Sequence, residues 1–173
     1  VYLIKQNKRL YKISNPESLL VPIKEKEILA KNIISEINNI KAKEYSERNV
    51  EIYEGIEGMK IIFEEIRDVK ELRVLNATGL IFKNLQFSAK HIVRDIERKS
   101  RAKVIATRKM KETEMVKFKK LEIKYLPRDA ENYATTFIYP EKVVIMVAKE
   151  KPFLVKIEDK DIYDGYKKDF EVL

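Results

Sequence analysis

The chain has 173 residues, no cysteine, one histidine and a formal net charge of +8. Disulfides, cysteine metal centres and multi-histidine metal sites are therefore excluded, and no apolar run reaches the roughly 18 residues that a membrane-spanning helix needs. No long apolar segment opens the chain as a signal peptide would, so a cytoplasmic protein with no membrane partner and no cofactor is expected. The charge is unevenly spread. Residues 83–124 hold fourteen Lys/Arg against five Asp/Glu, which leaves the rest of the chain at −1. Such a band reads either as a face for a polyanion or as a solvated lysine-rich surface.

At the start, VYLIKQNKRLYKI sets short apolar runs on either side of Gln6-Asn7-Lys8-Arg9, the pattern of a β-hairpin with a basic tip. A two-stranded hairpin is marginal alone in water, and the first residue is Val1, not Met. Winged-helix modules end in such a hairpin. Lys5, Lys8 and Arg9 would then lie on phosphates, fixing position without reading sequence. Residues 1–14 are accordingly expected to be the wing of a DNA-binding domain that precedes Val1.

Asn15-Pro16-Glu17 is a helix start: a cap, a proline suited to the first helical position, and an acid that complements the dipole. Pro22 restricts Val21 and is a place for the helix to restart. Beyond it, Ile23, Ala30, Ile33, Ile37 and Ile40 recur at coiled-coil spacing, with Lys26 as the polar exception, and charged residues fill most other places. Residues 15–48 are therefore expected to form a linker and dimerisation helix that makes the protein a homodimer. The alternative is an amphipathic helix packed on its own domain.

Residues 49–173 read as an α/β domain. A strand at 50–53 meets a turn with Gly55 and Gly58, which permit a tight strand-to-helix corner. A helix at 58–66, a strand at 72–76, a helix at 85–99 and a strand at 103–107 follow. A short helix at 111–119 and a strand at 121–126 come next, then three β runs at 135–139, 142–148 and 153–158. A final helix at 162–172 is capped by Asp159 or Asp161. Strand–helix alternation predicts parallel strands, and the late meander predicts antiparallel ones. The sum is a mixed sheet with helices on both faces.

Catalytic chemistry is hard to find. GIEG carries neither the dinucleotide fingerprint nor a phosphate-loop Gly-Lys-Ser/Thr. His91 lies mid-helix with Asp95 four residues on, a spacing suited to a surface pair, and no two carboxylates stand out as acid and base. Ligands of open sheets sit beyond the carboxyl ends of parallel strands. Those ends carry Tyr53, Gly55, Asn76, Thr78, Gly79, Thr107 and Arg108. Tyr53, Gly55, Asn76, Thr78 and Arg108 are the candidate pocket, suited to a small polar or anionic effector. Ordinary loop composition is the alternative.

The order of these pieces resembles the TrmB-type archaeal transcriptional regulators. Their effector half opens on a strand, a Tyr-x-Gly turn and a helix, which Tyr53, Gly55 and Met59 match. The far end, FIYPEKVVIMVAKEKPFLVKIEDKDIYDGYKKDFEVL, resembles the family's closing hairpin, its strand after a proline, and its last helix with Phe170, Glu171 and Leu173. The resemblance spans nearly the whole chain and rests on the order of motifs. It implies a phospholipase-D-like fold from about Val50, and DNA binding through a winged helix-turn-helix mostly upstream of Val1. It also implies a catalytically silent domain. The phospholipase signature His-x-Lys-(four residues)-Asp is missing, because Val93 and not lysine stands two places after His91. No sugar-binding residue carries over from the family's sugar-sensing founder. Two rival readings are a phospholipase-D-like hydrolase or nuclease with an atypical site, and a nucleic-acid-binding module that uses the 83–124 band directly.

Overall fold

A computed structural model of the chain describes residues 2–5, 8–11, 16–41, 49–127 and 133–173. The side chains of residues 2–5, 8–11, 16, 38–41 and 87 lie outside the description, and with them the wing contacts expected of Lys5, Lys8 and Arg9, the Asn15 cap and the Ile40 end of the seam. The chain divides into two units, Val1–Ser46 and Glu47–Leu173.

In the first unit, β1 (Tyr2–Lys5) and β2 (Lys8–Tyr11) pair antiparallel, with Tyr2 opposite Tyr11 and Lys5 opposite Lys8. Lys5 and Lys8 therefore stand at strand ends, and Arg9 comes next in β2, opposite Ile4. A 3-10 turn, Pro16–Leu20, runs into α1 (Val21–Lys41). Pro22 falls in the first turn of α1, where a missing N–H removes no intrahelical bond. At about 1.5 Å per residue, α1 is roughly 31 Å long.

The second unit is one seven-stranded sheet flanked by helices. Its strands are β3 (Asn49–Glu54), β4 (Glu71–Ala77), β5 (Arg101–Ala106), β6 (Glu122–Tyr125), β7 (Ala134–Tyr139), β8 (Lys142–Val147) and β9 (Phe153–Glu158). They lie in the order β3-β9-β8-β7-β4-β5-β6. Neighbours β4, β5 and β6 are parallel, and every other neighbouring pair is antiparallel. Following the pairings, β3, β4, β5, β6 and β8 run one way, and β7 and β9 the other. Alternation thus gives β3 and β4 the same direction but does not make them neighbours. The meander β7–β8–β9 is inserted between them.

The helices are α2 (Gly55–Ile66), α3 (Ile81–Leu85), α4 (Phe87–Lys99) and α5 (Lys160–Val172). Met59, Ile62, Phe63 and Ile66 of α2 join Ala89, Ile92, Val93 and Ile96 of α4 in one core over the sheet. Phe63 meets Phe137 edge-on, with ring centroids 5.3 Å apart. Tyr163 and Phe170 of α5 close a smaller core over Ile105, Ile138 and Val143 on the other face. Asp159 caps α5 by accepting a hydrogen bond from the Ile162 amide at 2.9 Å. Three local expectations shift. The corner helix begins at Gly55, whose φ is +71° and whose N–H donates to the Pro152 carbonyl at 2.8 Å. The expected helix at 85–99 is broken at Gln86, with φ +44°. In place of a helix at 111–119 stand two 3-10 turns, Arg108–Glu112 and Glu114–Lys117, joined by Thr113.

Candidate functional site

The carboxyl end of β4 is the most unusual stretch of backbone. Asn76 has φ +56° and stands at a register shift against β5 between Leu75 and Ala77. Asparagine tolerates this left-handed region better than most residues. Its carbonyl accepts a hydrogen bond from Thr135 Oγ1 at 3.1 Å, and the Ala77 carbonyl accepts one from the Thr107 amide at 3.0 Å. Gly79 follows at φ +75°, where an added Cβ would lie 2.7 Å from Thr113 Cγ2. Thr113 Oγ1 in turn donates to the Met110 carbonyl at 2.7 Å. Beneath this loop is a cavity of about 70 Å³, lined by Thr78 and Gly79 at the rim and by Phe63, Val74, Met110, Met115 and Met146 among its walls. The walls are almost wholly apolar.

The five expected pocket residues do not meet. Asn76 and Thr78 stand at this edge. Arg108, one strand over, donates from Nη2 to the Pro127 carbonyl at 2.9 Å. Tyr53 lies near the end of β3 and Gly55 opens α2 just beyond it; β3 is four strand positions from β4, roughly 19 Å at the usual spacing between strands. Of the five, Thr78 alone lines the cavity. Strand direction placed all five at one edge. Strand order separated them.

Tyr53 belongs to a second constellation, which sequence reasoning missed. Lys156, only 7% exposed, reaches Glu51 at 2.7 Å, Glu158 at 3.0 Å and Glu65 at 3.5 Å. Lys142 bridges Glu65 at 2.6 Å and Glu158 at 3.2 Å, and the Tyr53 hydroxyl donates to Glu51 at 2.6 Å. The Lys156 and Tyr53 hydrogen bonds hold the Glu51 carboxyl down at about 2. Burial pulls Lys156 down, but its hydrogen bonds to Glu51 and Glu158 outweigh that and raise it. Burial, reinforced by the Glu65 charge, pushes the Tyr139 hydroxyl up; that hydroxyl is buried close to Glu65 without hydrogen-bond geometry. A carboxylate held so far below neutral is a weak general base. The network therefore ties α2 to β3, β8 and β9. The signal was parity: Glu51 shares a side of its strand with Tyr53, and Lys156 with Leu154, and in both strands that side faces inward.

His91 is exposed on the side of α4 away from the core, and Asp95 pairs with Arg67 at 3.7 Å. Among the described residues no group of three His, Asp or Glu could hold a metal ion, and no helix is long and apolar enough to cross a membrane.

No family model matches the sequence. Curated proteins searched by sequence give no match either. Solved structures similar to the chain include two that bear on its fold. One is TrmBL2, an archaeal chromatin protein whose structure shows a novel mode of DNA binding; it is 18% identical with a TM-score of 0.50, over 90% of this chain and 64% of that one. The chain thus spans less than two-thirds of that protein. The other is NucT from Helicobacter pylori, 12% identical with a TM-score of 0.53, over 72% of this chain and 94% of that one. The fold is phospholipase-D-like. At these identities the likeness speaks for architecture, not for chemistry. Within the phospholipase-D-like unit, the single histidine lies on an outer helical surface, while the strained backbone and the cavity lie at the β4 edge.

Proposed function

We propose that the chain is the dimerising and effector-bearing part of a TrmB-type transcriptional regulator that binds DNA through a winged helix upstream. The observation that carries this reading is the bare stripe on α1. Ile23, Ile28, Leu29, Ile33, Ile34 and Ile37 are between 45% and 61% exposed. So continuous an apolar surface marks an interaction site. A second copy offers the same stripe in return, as two-fold symmetry requires. Ile23, Ala30, Ile33 and Ile37 form the seam, and charged residues such as Glu27 and Lys31, paired at 2.7 Å, flank it. The hairpin ahead of α1 suits the wing role, and the likeness to TrmBL2 over nine-tenths of the chain supports the order of parts.

The mechanism is a change in helix geometry. A ligand in the α/β unit shifts the α1 pair and so resets the spacing of two winged helices over their half-sites. The cavity under Thr78 and Gly79 is the place for such a ligand, and its lining favours an apolar group over the polar or anionic effector that loop composition suggested. Sedimentation equilibrium tests the dimer. The native chain is expected to be dimeric, and the I33D/I37D variant monomeric with unchanged circular dichroism. A dimer that persists in the variant would remove α1 from the interface. The hydrolase reading has its own test, a phosphodiesterase activity lost on His91→Ala. The outward position of His91 gives that reading no support.

A further inference from the structure

We propose that the outer face of α4, together with the 117–120 turn beside it, is a track for the phosphate backbone of duplex nucleic acid. Ala89, Ile92, Val93 and Ile96 of α4 are buried. The opposite side therefore presents Lys90, Arg94 and Arg98, all exposed and about 6 Å apart along the helix axis. Two contacts pin the following segment against this helix. Lys90 Nζ pairs with Glu114 at 2.9 Å, and the Lys120 amide donates to Glu97 Oε1 at 2.9 Å. They bring Lys119 and Lys120 beside the helical stripe, although β5 separates the two in sequence. The Lys90 pair offsets the Glu114 charge, while Glu97, bonded to a neutral amide, keeps its own, so among the described residues here four unpaired cations stand against one carboxylate. Among the described residues, Arg94, Arg98, Lys119 and Lys120 have no carboxylate within ion-pair distance.

Two features choose the partner. Stable binding to a membrane surface needs a second signal besides charge, and Val116 is the one large apolar side chain exposed among the described residues of α4 and this segment. Single strands need open aromatic platforms. Here Phe118 is stacked on Phe82 with centroids 6.4 Å apart, and Tyr125 lies under Lys111 at 4.6 Å. Duplex phosphates remain, held without sequence preference. This track rests on the DNA-binding reading above and adds to the hairpin a second contact, carried by the α/β unit.

The test uses the 173-residue chain and a short labelled duplex of arbitrary sequence, titrated at several salt concentrations. Arg94, Arg98, Lys119 and Lys120 are changed together to alanine. A control changes Lys149, Lys160, Lys167 and Lys168, and another changes Lys5, Lys8 and Arg9. The track variant is expected to bind about tenfold or more weakly at low salt, with a slope of log K against log salt smaller by about 3 to 4. The four-lysine control should stay within about threefold, as a change off the phosphate path does. An unchanged track variant, or an equal loss in that control, overturns the proposal. So does native binding to anionic vesicles or single strands as tight as to duplex, or no duplex binding at all. If the hairpin variant loses binding while the track variant keeps it, the track fails but the DNA-binding reading stands.

Discussion

Glu51 makes the fold sensitive to acid. Its carboxyl lies at about 2 against an ordinary 4.5. A depressed folded-state value stabilises fully above the ordinary value and loses that contribution as pH falls from 4.5 towards 2. Glu51→Gln is therefore expected to lower stability by about 1 to 2 kcal/mol at neutral pH, with the gap closing near pH 2 in urea titrations. Tyr139 offers the opposite case. Its buried hydroxyl makes no hydrogen bond within the described residues, so Tyr139→Phe should leave stability unchanged or raise it by up to about 1 kcal/mol. A drop in Tm would show a bond to Glu65. Gly79→Ala places a Cβ 2.7 Å from Thr113 Cγ2 at φ +75° and should cost about 1 to 3 kcal/mol. Adding Thr113→Ser removes that methyl and keeps the hydroxyl, so chemical denaturation of the double variant should recover part of the loss. Independent losses that simply add would contradict the close approach. Gly55 was legible as a corner residue; Gly58 instead lies within α2, where an added Cβ would stand 3.0 Å from Tyr53 Cβ. The Lys156 network was not, because a lysine in FLVKIE looks like a solvent-facing alternation until Leu154 is known to face inward.

At the scale of elements, periodicity carried far. Apolar residues at helical spacing in α2 and α4, and β runs divided by Pro140-Glu141 and by 149–152, yield the right elements in the right order. A break at Gln86 cut the expected 85–99 helix, and two 3-10 turns joined at Thr113 took the place of the expected helix at 111–119. Adjacency was beyond local pattern. Whether β3 lies beside β4 depends on where the meander pairs, and β9 pairs with β3 through Val50–Ile157 and Ile52–Val155. That long-range choice is what split the expected pocket. The α1 stripe, by contrast, was legible up to Ile37, because helical spacing alone sets which side chains share one side of a long helix, and those side chains are exposed. The I33D/I37D variant is expected to sediment as a monomer with its helicity kept.

At the scale of the molecule, the hairpin and α1 make one unit, and the sheet with its helices another, which also holds the basic band at 83–124. Fold class followed from alternation and meander together, and the resemblance to TrmB-type regulators supplied the phospholipase-D-like assignment. The function of each part did not follow from fold, since such folds serve both binding and hydrolysis. The proposed dimer sets two copies of α1 side by side across a two-fold axis, which a chain without cysteine tests cleanly. A single Ile37→Cys variant should form a disulfide-linked dimer on mild oxidation, since seam positions bring Cβ atoms of paired helices together. Ile61→Cys, on the exposed side of α2, should not. Equal cross-linking at both positions, or none at Ile37, would contradict a dimer built on α1.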